Sequence, residues 1–279
     1  MTHDSQSSSA PGPIRIDVEG VLRSRLGAKS ARVPAWLVRR LERIVCQDEM
    51  NEMLSIAYPA RGADFCRAVL EHLDITVNVR NENLLPIPEH GRVIFVSNHP
   101  LGGLDGLALI DFVSRHYGKE PYFVVNDLLM AVEPLSDILL PINKHGAQSR
   151  SAIRGIDSAM ASDRPVIIFP AGMCSRRKGK DIADLEWKKM FVHKAREFKR
   201  DIVPLRFEAR NSDRFYRAAQ WRERLGIKLN IEMVLLPGEL FKARGSTFTI
   251  HVGKTVRADT LSADSNAETQ RIRKISENL

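Results

Sequence analysis

Cysteine is scarce in this chain of 279 residues: Cys46, Cys66 and Cys174 are all it has, and no two of them stand in a Cys-x-x-Cys spacing. That is too few for a disulfide framework, and the ligand pattern of a structural zinc site is missing. His-x3-His, P-loop and Gly-x-Gly-x-x-Gly patterns are also absent, so neither a metal nor a nucleotide cofactor is expected. No apolar run reaches the length of about 18 residues that a membrane-spanning helix requires. The first residues, Met1-Thr2-His3-Asp4, are polar and lack the basic and apolar regions of a signal peptide, so a reducing cytoplasm is the expected compartment.

The chain does have the material for a core. Its apolar share of 43% and charged share of 27% are those of a globular protein and rule out disorder throughout. Lys and Arg number 42 against 34 Asp and Glu, a net charge of +8 that attracts polyanions. Nucleic acid, anionic lipid headgroups and acidic carrier proteins are the partners this charge admits.

Residues 1–13 are rich in Ser, Pro and Gly and are expected to be a disordered tail. Beyond them, strand-like runs at 76–79, 92–97, 122–125, 165–169, 202–207 and 248–252 alternate with helical patterns at 62–73, 105–117, 149–162 and 186–199. That alternation predicts an α/β fold with a largely parallel central sheet flanked by helices. The expected organisation is a helical segment over 14–75 packed on the core, the main α/β domain over 76–260, and a C-terminal helix or tail over 261–279.

The most informative stretch is Val96-Ser97-Asn98-His99-Pro100-Leu101-Gly102-Gly103-Leu104-Asp105-Gly106, where an apolar strand enters a glycine-rich loop and a helix follows. Ligands of open α/β sheets gather at such strand ends. His99 is placed at the crevice and Asp105 near a helix N-terminus, where a carboxylate is favoured. Gly102 and Gly103 allow the loop to turn back and bring the two side chains together. A histidine held by a carboxylate on one nitrogen presents a basic second nitrogen, the arrangement of a general base. A loop histidine with Asp105 as a mere helix cap is the plainer alternative. Further along, the buried run 166–169 ends in Pro170-Ala171-Gly172 and leads to Ser175, Arg176, Arg177, Lys178 and Lys180. Arginine there suits an anionic ligand in the same crevice, and a solvated basic loop is the alternative.

These residues resemble the motifs of the glycerolipid acyltransferases, the lysophosphatidate acyltransferases and their relatives. Asn98-His99 and Asp105 match the family's first block, with the carboxylate at His-x5-Asp where the family has His-x4-Asp. Leu139-Leu140-Pro141-Ile142-Asn143-Lys144 resembles the second block, Phe169-Pro170-Ala171-Gly172-Met173-Cys174-Ser175-Arg176 the third, and Ile202-Val203-Pro204 the fourth. The wording NHPLGGLDG resembles a bacterial subfamily, some of whose members act on amino-acid-containing lipids. The resemblance implies transfer of a fatty acyl group from an acyl carrier protein or coenzyme A thioester to the hydroxyl of a lysolipid, with no cofactor. It implies His99 as general base, Asp105 as its orienting acid and Asn98, Gly102 and Gly103 as the supporting loop. Asn143, Lys144, Gly172, Ser175 and Arg176 are implied at the acceptor or its phosphate. Ala171 stands where the family has Glu, which sets a lysophosphatidate acceptor against a carboxylate-bearing one such as an N-acyl hydroxy-fatty amino acid.

Three other stretches bear on partners. Residues 33–45 form a basic amphipathic helix, with Pro34 in its first turn and Arg39, Arg40 and Arg43 opposite Leu37, Leu41 and Ile44. It either packs on the core or lies on an anionic bilayer. Asp184 and Glu186 read as first-turn acids of the helix 186–199, whose Trp187, Met190 and Phe191 are core candidates. Residues 210–224 interleave arginines with Phe215, Tyr216 and Trp221, a pattern that suits a membrane interface or single-stranded nucleic acid. The expectation is a peripheral enzyme on an anionic membrane surface, at the cytoplasmic face of the inner membrane, with nucleic acid not a partner. A non-enzymatic lipid-binding protein is the competing reading.

Overall fold

The core strands read as unbroken apolar runs because helices cover both of their faces. In β2 (Val93–Ser97), Val93 and Phe95 face one layer while Ile94 and Val96 face the other, and all five residues are buried. The computed structural model describes residues 12–27, 33–87, 90–126, 130, 132–142 and 150–279. Around β2 it places β1 (Thr76–Arg80), β3 (Tyr122–Asn126), β4 (Leu139–Ile142), β5 (Val166–Ile168), β8 (Asp201–Glu208) and β9 (Thr247–Val252). Their order in the sheet is β1-β9-β8-β2-β5-β3-β4, with β2 in the middle. The five strands from β8 to β4 are parallel, β9 is antiparallel to β8, and β1 is parallel to β9. A separate hairpin joins β6 (Arg176–Lys178) to β7 (Asp181–Ala183).

One face of the sheet is covered by α3 (Gln47–Ala57), α4 (Gly62–His72) and α5 (Leu104–Tyr117), which contribute Leu54, Phe65, Val69, Leu109 and Val113 to the larger apolar cluster. The other face is covered by α6 (Arg150–Ala161), α7 (Met190–Phe198) and α10 (Ser265–Glu277), through Met160, Phe191, Val192 and Ile272. The C-terminal segment is therefore a packed helix, fastened by a hydrogen bond from Ser276 Oγ to the Leu205 carbonyl of β8. α1 (Val18–Leu26) and α2 (Ala35–Ile44) precede this body. α2 follows Pro34 as the sequence predicts, but none of its residues is fully buried. α8 (Asp213–Arg224) and α9 (Leu236–Lys242) lie between β8 and β9 in the chain. Of the expected disordered tail, residues 1–11 lie outside the described residues.

One expected boundary needs correcting. The helix predicted from 186 begins only at Met190. Asp184 and Trp187 lie in an irregular stretch held from outside, with the Trp187 indole N–H donating to Asp184 Oδ2 at 2.9 Å and the Lys188 amide to the Pro170 carbonyl at 3.0 Å. These tertiary bonds replace the helical ones that the acidic first turn led us to expect.

Arg200 pins the end of the sheet opposite the strand C-termini. It is fully buried, and its guanidinium donates to the carbonyls of Met160 (2.7 Å), Ala159 (3.1 Å), Arg164 (2.8 Å), Val93 (3.4 Å) and Ser162. Among the described residues its guanidinium donates to carbonyls and forms no ion pair, with Asp163 a more distant attraction. Arg200→Met leaves those carbonyls without a donor and is expected to lower the stability by about 3–5 kcal/mol in urea unfolding. Arg200→Lys recovers less than half of that, because one ammonium cannot span the fork of acceptors.

Candidate active site

The site is built where β2, β5 and β8 end. Asn98, the first residue past β2, is bonded to both backbone groups of Phe207 on β8: its Oδ1 accepts the Phe207 N–H at 2.7 Å and its Nδ2 donates to the Phe207 carbonyl at 3.0 Å. The chain is locked to its neighbour just before His99. Nδ1 of His99 lies 2.9 Å from Asp105 Oδ2. A carboxylate can only accept, so Nδ1 carries a proton, and in the neutral ring the lone pair is on Nε2. Asp105 is wholly buried in the first turn of α5, and its oxygens also accept the amides of Leu101 (2.9 Å) and Gly106 (3.0 Å). The fixed amides and the helix N-terminus offset the burial of its charge. The longer His-x5-Asp spacing therefore still closes.

The imidazole has three further constraints. Its ring stacks on Phe169 with centroids 4.0 Å apart and planes 17° from parallel. Its backbone N–H donates to Asp184 Oδ1 at 3.2 Å, and its carbonyl accepts from the Ser175 amide at 2.7 Å. The side chain keeps 15% of its surface open, and Nε2 has no protein partner among the described residues. A ring fixed on one nitrogen and free on the other is placed to take a proton from a bound hydroxyl.

Asp184 is the residue that sequence reasoning missed. It was read as a helix-start acid, yet its buried carboxylate accepts from Ser175 Oγ at 2.6 Å, from Trp187 Nε1 and from the His99 amide. It ties the His99 loop, the β6 hairpin and the chain before α7 at one point. The spacing of Asp184 from His99 carries no motif that could have revealed it.

The third block is turned differently from the expectation. Ser175 is buried and faces Asp184, and Arg176, expected at an anionic ligand, is directed into the interior. Its guanidinium pairs with Glu232 at 2.8 Å and donates to the Cys174 carbonyl at 2.8 Å, with 5% of the side chain exposed. A charge run does not show which member turns inward. Glu232 and Asn211, whose Nδ2 donates to the Pro100 carbonyl at 3.1 Å, also support this loop without a local sequence signal. Cys174 is fully buried, and burial pushes its thiol pKa up, so it is not an exposed nucleophile. Phe215 and Tyr216 are buried beneath Arg176 and Arg177 and form no stacking platform for bases. Gly172 adopts φ +66°, and the exposed Lys188 approaches it, with Nζ 4.0 Å from where a Cβ would stand. Asn143, Lys144 and His145 lie outside the described residues.

The two loop glycines are not equivalent. Gly102 sits at φ +81°, and an added Cβ would come within 2.8 Å of Leu236 Cδ1. Gly103 has nothing within 4 Å of that position. Gly102→Ala is expected to cost about 1–3 kcal/mol in denaturant unfolding, whereas the same change at Gly103 costs less than half of that.

Comparison with known proteins gives the family. A family described as Acyltransferase matches residues 20–276. Lyso-glycine lipid O-acyltransferases of Phocaeicola vulgatus and Bacteroides thetaiotaomicron are 47% and 45% identical over 242 residues, covering 86% of this chain and 86% and 88% of theirs. A crystal structure of the 1-acyl-sn-glycerophosphate acyltransferase PlsC from Thermotoga maritima aligns over 93% of this chain and 94% of its own, with a TM-score of 0.46 and 12% identity. With its family-wide match and close relatives, and with the block His99 to Asp105 at its sheet edge, this chain belongs to the acyltransferase family and is an enzyme of that kind.

Proposed function

We propose that the protein transfers a fatty acyl group from a thioester to the hydroxyl of a lyso-amino-acid lipid, a lyso-glycine lipid in the first instance. The observation that carries this reading is the His99–Asp105 pair with Nε2 open at the sheet edge. Nε2 removes the acceptor's hydroxyl proton as the oxygen attacks the thioester carbonyl. The C–O bond forms, the tetrahedral intermediate collapses, the C–S bond breaks, and the histidine returns its proton to the departing thiolate. Asp105 stabilises the imidazolium between those two events. No cofactor takes part. The donor is an acyl carrier protein or coenzyme A thioester, both acidic and suited to a surface of net charge +8.

Two features favour an amino-acid lipid over lysophosphatidate. Ala171 is buried in the apolar layer that includes Ile168 and Trp187, so a carboxylate has no place where the family's Glu is expected. The two relatives at 47% and 45% identity are named for lyso-glycine lipid. With Arg176 engaged by Glu232, Lys188 beside Gly172 is the cation we assign to the headgroup carboxylate. The enzyme would meet its lipid peripherally, at the cytoplasmic face of the inner membrane; no helix among the described residues is long and apolar enough to cross a membrane.

His99→Ala is expected to lower kcat by about 10³-fold or more, with unfolding unchanged, and Asp105→Asn by about 10²–10⁴-fold. Wild-type turnover in purified His99→Ala would refute the mechanism. Offered equal amounts of lyso-glycine lipid and lysophosphatidate with one acyl thioester, the enzyme acylates the former, and Lys188→Ala weakens that preference through KM. A preference for lysophosphatidate would overturn the acceptor assignment while leaving acyl transfer in place.

A further inference from the structure

Residues 221–234 expose an unusual amount of apolar surface. Trp221, Leu225 and Leu229 are 60%, 67% and 74% exposed, and Ile227, Ile231 and Val234 are open to solvent in the same stretch. Single exposed apolar side chains are ordinary, but a concentration of this kind marks an interaction surface. α8 explains how it is presented. Its inner face buries Phe215, Tyr216 and Ala219, which turns Arg214, Arg217, Trp221 and Arg224 outward at helical spacing. Arg214, Arg217, Arg224 and Lys228 form no ion pair among the described residues.

α2 extends the same surface. Trp36 is 61% exposed, and Trp36, Arg40 and Arg43 line a groove of about 530 Å³ together with Arg214 of α8 and Leu235. Each of the two helices thus presents an exposed tryptophan, and the groove that α2 shares with Arg214 of α8 is lined by Trp36. The patch also borders the site. Glu232 within it holds Arg176, which donates to the Cys174 carbonyl, and the next residue, Ser175, bonds the His99 carbonyl.

We propose that this face, the 221–234 segment with the outer sides of α8 and α2, docks on an anionic lipid bilayer, with Trp221, Leu225 and Leu229 entering the interface and the arginines meeting headgroup phosphates. The chemistry selects the occupant. Apolar tips beside cations that form no ion pair match the acyl boundary and the charged plane of such a bilayer together. A second copy docked face to face would set like charges against one another. Nucleic acid would satisfy the arginines but leave Leu225 and Leu229 in water. The inference deepens the proposed function by naming the surface at which the enzyme meets its lipid acceptor, and it rests on that reading only for the activity arm of the test.

The full chain is mixed with phosphatidylcholine vesicles with and without phosphatidylglycerol, some carrying brominated acyl chains. The variant Trp36→Phe leaves Trp221 and the buried Trp187 as emitters. Its fluorescence is expected to shift to the blue and be quenched by bromine on anionic vesicles only, and added salt reverses both effects. Leu225→Ser combined with Leu229→Ser weakens vesicle binding about tenfold or more, while acyl transfer to an acceptor dispersed in detergent micelles stays at the wild-type rate. Arg217→Gln with Arg224→Gln removes the preference for anionic vesicles. Unchanged vesicle binding by the Leu225/Leu229 variant, or unquenched Trp221, overturns the proposal. So does a wild-type dimer that the same variant abolishes, which would make the patch a self-association face. Vesicle binding by a wild-type protein that acylates no lysolipid supports the docking surface and refutes the proposed function alone.

Discussion

The bond between His99 Nδ1 and Asp105 Oδ2 demands a carboxylate with no contact with solvent and a loop that doubles back within seven residues, 99 to 105. The first condition is met within the loop and the turn that follows it, the second with help from α9. The carboxylate is tolerated because the amides of Leu101 and Gly106 point at it from the turn that α5 begins. The loop is tolerated because Gly102 takes a left-handed backbone conformation against Leu236. Asn98, Phe169 and Asp184 then restrain the histidine through its preceding residue, its ring face and its amide. The site is thus a set of restraints converging on one imidazole, with a single nitrogen left free for chemistry.

The parts of this arrangement that depend on local pattern could be read in the sequence. β2 declares itself by five consecutive buried positions, and the loop after it by its glycines, so the His99–Asp105 pairing followed. The α/β alternation could be read because the inner strands β2, β3 and β5 are short apolar runs between periodic helices. What failed depended on distant partners. Asp184 and Glu186 look like a helix start, and only the bonds of Trp187 and Lys188 to the site delay α7 to Met190. Arg176 and Arg177 are adjacent in a basic run, yet one pairs with buried Glu232 and the other with exposed Asp213. Nothing in the run distinguishes them, because the acid that sorts them lies tens of residues away.

The positive charge divides into two populations that composition merges. Arg200 and Arg176 are interior cations, one compensated by carbonyl dipoles and the other by a carboxylate, and both hold parts of the fold together. Arg214, Arg217 and Arg224 on the outer side of α8 form no ion pair among the described residues. Such exposed cations contribute a field that reaches a partner, whereas the interior ones are spent within the fold, so composition alone does not show how the surface is charged.

α10 couples two restraints that are far apart in the chain. Its Ser276 is bonded to β8 at Leu205, and its Arg273 reaches the carbonyls of Asp184 and Leu185, the peptide next to the carboxylate that steadies His99. The strand that holds Asn98 and the segment that holds the His99 amide are therefore both braced by one helix that never touches the imidazole. Loosening that helix would slacken both restraints together, so the geometry at the ring depends on packing on the far side of the sheet.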